Sequence, residues 1–218
     1  MKQVFIILML SISVSSIYGQ STNTQFMLEN GKLLQGKYTL YKPTILLSPI
    51  YKDTTEAFNK NPEELMISIL SSNSKEWEKY NSLSFDDEDK YESFDNKTLN
   101  YELISRFDFQ LDTLQMAFIK YKLINTAKKK EIIGITIMQK NRNRWKTTST
   151  VITTKLSTFF LVFKDEVSYR ILSDKPSNEI ERKFLYNVKV KNNFSIEKLL
   201  SQSFDYDEKN YFINSLNW

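Results

Sequence analysis

The acids Asp108 and Asp112, and the neighbours Asp165 and Glu166, are the carboxylates that could work as a pair. Glycoside hydrolysis asks two acids to face one another across a cleft, one with its pKa raised by burial. Spacing alone does not bring them face to face, and Asp108 alternates with the large apolar residues of its segment, which points it to solvent. Ser195-Ile196-Glu197-Lys198 and Ser72-Asn73-Ser74-Lys75 match the S-x-x-K spacing that sets an amine one helical turn from a hydroxyl. Neither has an S-D-N or K-T-G companion, and in a chain rich in serine and lysine both read as helix cap or loop. The run Asp86-Asp87-Glu88-Asp89, with Glu92 and Asp95, lacks the alternate ligands and central glycine of a calcium loop and reads as a solvated acidic loop. Trp77, Phe118, Tyr121 and Trp145 could line a concave pocket for an apolar or sugar-like ligand. Against this stands the reading in which they fill a core between sheet and helices. These four are the candidate ligand-binding residues; no catalytic residue and no metal ligand is assigned, and no cofactor is implied.

Composition removes whole classes of mechanism. The 218 residues contain no His and no Cys. A thiol nucleophile, a Ser-His-Asp relay and a histidine- or thiolate-held metal or haem therefore cannot be built from this chain. What is left is chemistry on carboxylates, Lys, Tyr, Ser or Arg. The net charge of +4 is spread along the chain. Lys128-Lys129-Lys130 and Arg142-Asn143-Arg144 fall where turns are expected, so no concentrated basic face for nucleic acid is predicted.

Met1–Gly19 reads as a secretory signal: Lys2 supplies the positive start, Val4 to Val14 the apolar stretch, and Gly19-Gln20 a small residue before a polar one. The stretch is shorter than the roughly 20 apolar residues of a spanning helix. No Cys follows it, which excludes a lipid anchor made through a thioether. A periplasmic or secreted protein with no transmembrane segment after cleavage is expected, with residues 20–218 as one α+β domain. The bias towards Asn, Lys, Ile and Ser suggests an AT-rich coding genome, and a bacterium first. Without disulfides the fold must rest on packing, for which fifteen Phe, twelve Tyr and three Trp provide large apolar areas.

The elements follow from pattern. Residues 20–60 suit short strands and turns punctuated by Gly31, Gly36, Pro43 and Pro49. Asn61-Pro62-Glu63-Glu64 is a helix start, with Leu65, Met66, Ile69 and Leu70 as its apolar stripe, and a short second helix is expected from Lys75 to Tyr80. From Leu103 the period becomes two: Leu114, Met116, Phe118 and Lys120 alternate with Ala117, Ile119, Tyr121 and Leu123. Turns at 125–130 and 141–143 and a last strand from Trp145 to Thr154 complete a meander of four strands, a sheet core of about 100–155. Beyond it, in the helical part 156–218, Leu156, Phe159, Phe160, Phe163 and Val167 share a helical face ended by Pro176. Residues 180–190 fit helix or strand, and the tail from Ser195 reads as two short helices tied down by Phe212, Leu216 and Trp218.

The order over residues 61–154 resembles the NTF2-like (cystatin-like, SnoaL-like) domains. The resemblance is carried by the helix opening Asn61-Pro62-Glu63-Glu64-Leu65, by the hairpin Phe118–Leu123 with Ile132–Lys140, and by Arg144-Trp145-Lys146. It implies a curved antiparallel sheet wrapping helices into a cone with a pocket. Catalytic members place Asp and His in the cone, and this chain has no His, so a non-catalytic pocket or interaction surface is what the resemblance favours. The expected function is binding of a small apolar or amphipathic ligand, or of a protein partner, against a concave sheet face. The alternatives are a cofactor-independent hydrolase using carboxylates or Tyr, which needs two acids converging in a cleft, and a cell-envelope assembly protein, which needs an exposed apolar patch or an unpaired strand edge.

Overall fold

Polar turns separate long β-branched and aromatic stretches, and together these build an eight-stranded sheet. A computed structural model describes residues 19–28, 30–84, 98–149 and 151–214. Residues 1–18 of the expected leader, the acidic loop, Leu216 and Trp218 lie outside the described residues. Where the sequence predicts short pieces before residue 60, β1 (Gly19–Met27) and β2 (Leu33–Leu47) form a long hairpin in unbroken antiparallel register from Gly19↔Tyr41 to Met27↔Leu33. Gly31 closes it with a φ of 77°, a conformation glycine adopts without strain. Gly36 is not a turn; it sits mid-strand because the Phe107 ring covers it where a Cβ would stand.

The meander is present as β3 (Leu99–Leu111), β4 (Leu114–Asn125), β5 (Lys130–Asn141) and β6 (Arg144–Thr147). β6 stops short of the expected Thr154, because Val151–Val162 is helix α3. There the helical stripe of Leu156, Phe159 and Phe160 overrides the strand preference of the Val- and Thr-rich residues before it. Strand order is β6-β5-β4-β3-β2-β1-β8-β7, with β7 (Lys189–Val190) and β8 (Asn193–Ser195) contributed by the C-terminal part. The architecture is α+β: a curved, unclosed sheet, antiparallel except where β8 runs parallel to β1 at Phe26↔Phe194 and Met27↔Ser195.

Helices cover both faces. α1 (Pro62–Ser71) starts as its sequence predicts: Asn61 accepts from the Glu64 amide and Pro62 occupies the first position. α2 (Lys75–Asn81) is capped by Ser74. Beyond α3, the shared helical face is cut at Phe163-Lys164, and α4 (Asp165–Leu172) begins anew. The ambiguous 180–190 stretch is α5 (Glu179–Val188), capped by Asn178, before β7. α6 (Ile196–Leu200) takes Ser195 as its cap, and α7 (Tyr206–Phe212) opens with a capping box of Asp205 and Glu208.

Two hydrophobic clusters lie on opposite sides of the sheet. Under α1 sit Tyr41, Leu65, Met66, Tyr101, Leu103, Ile119 and Trp145. Under α3–α7 sits a larger, phenylalanine-rich cluster of Phe26, Phe107, Phe118, Phe159, Phe160, Phe163, Phe184 and Phe212. Its rings meet mostly edge-on or tilted, for example 5.2 Å between Phe26 and Phe107 and 4.8 Å between Phe159 and Phe163. The register breaks once in β2, between Leu40 and Ile45, and once in β3, between Leu103 and Ser105. The extra residue in β3, Ile104, switches sides, so Tyr101 and Leu103 face α1 while Ser105, Phe107 and Phe109 face the larger cluster.

Candidate functional site

The four aromatic candidates separate. Trp77 is buried, and its indole Nε1 donates to Ser68 Oγ at 2.9 Å. Phe118 is buried in the larger cluster, 4.8 Å from the Phe109 ring. Tyr121 is on the other face, 4.5 Å from Tyr101 and packed over Gly134, where a Cβ would come within 2.7 Å of its ring. The space beside Tyr121 is thus taken by protein. Of the four, Trp145 alone borders either of the two cavities described next.

The larger is an open groove of about 890 Å³ at the strand ends. Exposed amides line one wall: Asn23 and Gln25 of β1, Gln35 of β2, Gln110 of β3 and Gln115 of β4. Register aligns them, with Gln25 opposite Gln35 and Gln110 opposite Gln115, beside a row in which Asn23, Lys37 and Asp108 are neighbours. Trp145 borders it on the same face as the amides, while Ile171, Leu172, Leu185 and Phe194 border it from the larger cluster on the other side of the sheet. Each amide offers two donors and an acceptor without charge, so the amide face matches hydroxyl groups, with Lys37 and Asp108 in the neighbouring row.

The second cavity, about 630 Å³, opens where β2 and β3 break register: Tyr41–Thr44, Ile104 and the first turn of α4 line it. Asp165 and Glu166 both reach it, which is the convergence a carboxylate hydrolase needs. Both are already committed. Glu166 pairs with Lys42 at 2.6 Å. Asp165 Oδ1 accepts from Ser105 Oγ at 2.7 Å and Tyr38 OH at 3.1 Å, and its Oδ2 stands 2.8 Å from Lys120 Nζ. Lys120 also donates to the Phe163 carbonyl at 2.7 Å and is 1 % exposed. Burial pushes its ammonium below the ordinary lysine value, although the Asp165 carboxylate works the other way. Tyr38 is raised well above the ordinary tyrosine value by burial and then by Asp165, and so stays a proton donor.

On the opposite face of β3, Arg106 donates to Glu63 of α1 at 2.8 and 2.9 Å and to Asp108 at 2.6 and 2.8 Å, while Tyr41 OH donates to Glu63 at 2.5 Å. The sequence expectation that Asp108 points to open solvent is corrected here: it is half-buried, because Arg106, two residues before it, holds it against the sheet. Burial raises its carboxyl, a shift the Arg106 guanidinium opposes. A third cluster joins α4, α5 and α7: buried Glu181 accepts from Arg170, Ser177 and Tyr211. Burial works to raise Glu181, and those bonds overcome it and hold its carboxyl at about 2.

In the S-x-x-K matches the serines fall at helix ends: Ser195 accepts the Lys198 backbone amide at 3.2 Å, and Ser74, not Ser72, caps α2. Sequence reasoning passed over Lys120 and Tyr38. A signal for Lys120 was present, since it falls in step with Met116 and Phe118 on the core side of β4. Among the described residues no group of three or more acids stands close enough to hold a metal ion, and no helix is long and apolar enough to cross a membrane. Compared with protein-family models, curated proteins and solved structures, the chain matches none.

Proposed function

We propose that the protein is an exported binding protein whose ligand, a small uncharged amphipathic molecule of the neutral-saccharide kind, lies in the groove beside Trp145. The observation that carries this reading is the juxtaposition of uncharged amides from four strands with the Trp145 indole on one face of the sheet, along one open groove. An NTF2-like arrangement over residues 61–154 would hold its ligand between helix and meander; here Leu65, Met66, Tyr101 and Leu103 fill that space, so the ligand is assigned to the strand ends instead. The protein would work by holding, with amides exchanging water for ligand hydroxyls and Trp145 covering an apolar face. The test is calorimetric titration with a panel of neutral oligosaccharides and non-ionic amphiphiles, with indole fluorescence as a second readout. Saturable binding is expected for at least one class. It should weaken at least tenfold in Gln35→Ala/Gln110→Ala, a pair of exposed residues whose loss leaves the core intact, and the fluorescence change should vanish in Trp145→Phe. No saturation by either class would refute the reading.

One observation favours envelope assembly as a second reading. Among the described residues β8 covers the outer edge of β1 only at Phe26 and Met27, which leaves Gly19–Gln25 unpaired on that side and without a single charged residue. Strand addition there predicts concentration-dependent oligomers, measured by sedimentation, that Thr22→Pro abolishes.

A further inference from the structure

We infer that Lys120 and Asp165 become joined by an intramolecular amide bond, a covalent cross-link between β4 and the start of α4 in a chain with no cysteine. The inference rests on placement and is independent of what the groove binds. Lys120 Nζ lies 2.8 Å from Asp165 Oδ2, which places the amine beside the carboxyl group whose carbon it must approach to roughly 3–3.5 Å for attack. The other carboxyl oxygen, Oδ1, is gripped by two hydroxyl donors, Ser105 and Tyr38. That is the arrangement that stabilises negative charge developing on a carbonyl oxygen under attack. Lys120, Tyr38 and Ser105 are each no more than 2 % exposed beside the phenylalanine-rich cluster, while the Asp165 side chain, 12 % exposed, borders the second cavity. Burial lowers the lysine from its ordinary value, against the pull of its carboxylate partner.

The step balances without any co-reactant. A proton passes from the Nζ ammonium to Oδ2 across their 2.8 Å contact, leaving an amine and a carboxylic acid. The Nζ lone pair then forms a bond to Cγ, and the C=O electrons move onto Oδ1, which Ser105 and Tyr38 hold. Nζ loses a second proton, with the Phe163 carbonyl as its other hydrogen-bond partner, and Oδ2 receives it. Collapse restores the Cγ=Oδ1 bond, breaks Cγ–Oδ2 and expels one water molecule. Nothing is oxidised or reduced. High effective concentration in the folded state drives a condensation that free amines and acids do not complete in water.

Intact-mass spectrometry of the purified folded protein tests this directly. The expected result is a mass one water molecule below that of the chain, with proteolysis yielding a branched peptide joining the segments around residues 120 and 165. Lys120→Arg, which keeps the charge, should show the full mass. Ser105→Ala and Tyr38→Phe, which leave both reacting groups in place, should slow the loss of water at least tenfold after refolding. Loss of ammonia from an exposed Gln20 has a different mass and a different location, and does not count. A folded protein, verified by circular dichroism, that keeps its full mass after days of incubation would overturn the inference. So would an unchanged loss of water in Lys120→Arg.

Discussion

Two cation–carboxylate clusters sit on opposite faces of the sheet, one at Arg106 of β3 and one at Lys120 of β4, and they differ in water rather than in chemistry. On the α1 side Arg106 holds Glu63 and Asp108 with side chains 16–32 % exposed. On the other side Lys120 holds Asp165 at 1 % and 12 %. Arginine's planar fork suits the first, satisfying two carboxylates while its edge stays wet. Lysine's single nitrogen suits the second, where two acceptors are all that the core supplies and where loss of its proton is the alternative to loss of its partner. The exposed cluster is a clasp between helix and sheet. The buried one is a polar group in a hydrocarbon setting, and its stability depends on every bond being made.

That contrast can be broken most decisively at Asp165. Asp165→Ala strands Lys120 in the core and should cost about 3–5 kcal/mol in urea unfolding. Relative to the chain that has not lost water and still holds the ion pair, the double replacement Lys120→Met/Asp165→Leu should recover most of this, because no charge is then left unpaired. Next in size is Glu181, whose carboxyl at about 2 lies below its ordinary 4.5. A lowered folded-state value means its contribution is complete above pH 4.5 and fades as the pH falls towards 2. Glu181→Gln should therefore flatten stability against pH within that window and lower it by roughly 1–3 kcal/mol at neutral pH. The smallest effect belongs to the wet cluster. Glu63→Ala should cost about 1 kcal/mol, and raising salt should shrink the difference from the parent, whereas salt should leave the cost of Asp165→Ala unchanged.

Much of the fold could be read from local rules. The Asn61-Pro62 start of α1 and the Ser195 cap follow from side chains that satisfy amides within a few residues, so no distant contact was needed to see them. The meander was visible because one face of each strand is buried and period two survives. The β1–β2 hairpin was not, since its length is set by partners far along the chain: Gly36 reads as a turn until Phe107 is known to lie over it. Trp77, Phe118, Tyr121 and Trp145 all pack into the core, with Trp145 bordering the groove as well, and their types could not say which face each would take. The amide wall was missed because Gln25, Gln35, Gln110 and Gln115 carry no signal singly, and only strand register assembles them. Lys120 and Asp165 are distant in sequence and meet only once the helical layer closes on the sheet.

The extra residue at Ile104 carries a consequence for how substitutions combine. Odd-numbered positions of β3 report to one cluster before it and to the other after it. Leu103→Ala and Phe107→Ala, near neighbours in sequence, should therefore behave as independent lesions, while Phe107→Ala should show epistasis with Phe26→Ala, its partner 5.2 Å away on another strand. A single inserted backbone unit thus insulates one half of the molecule from drift in the other.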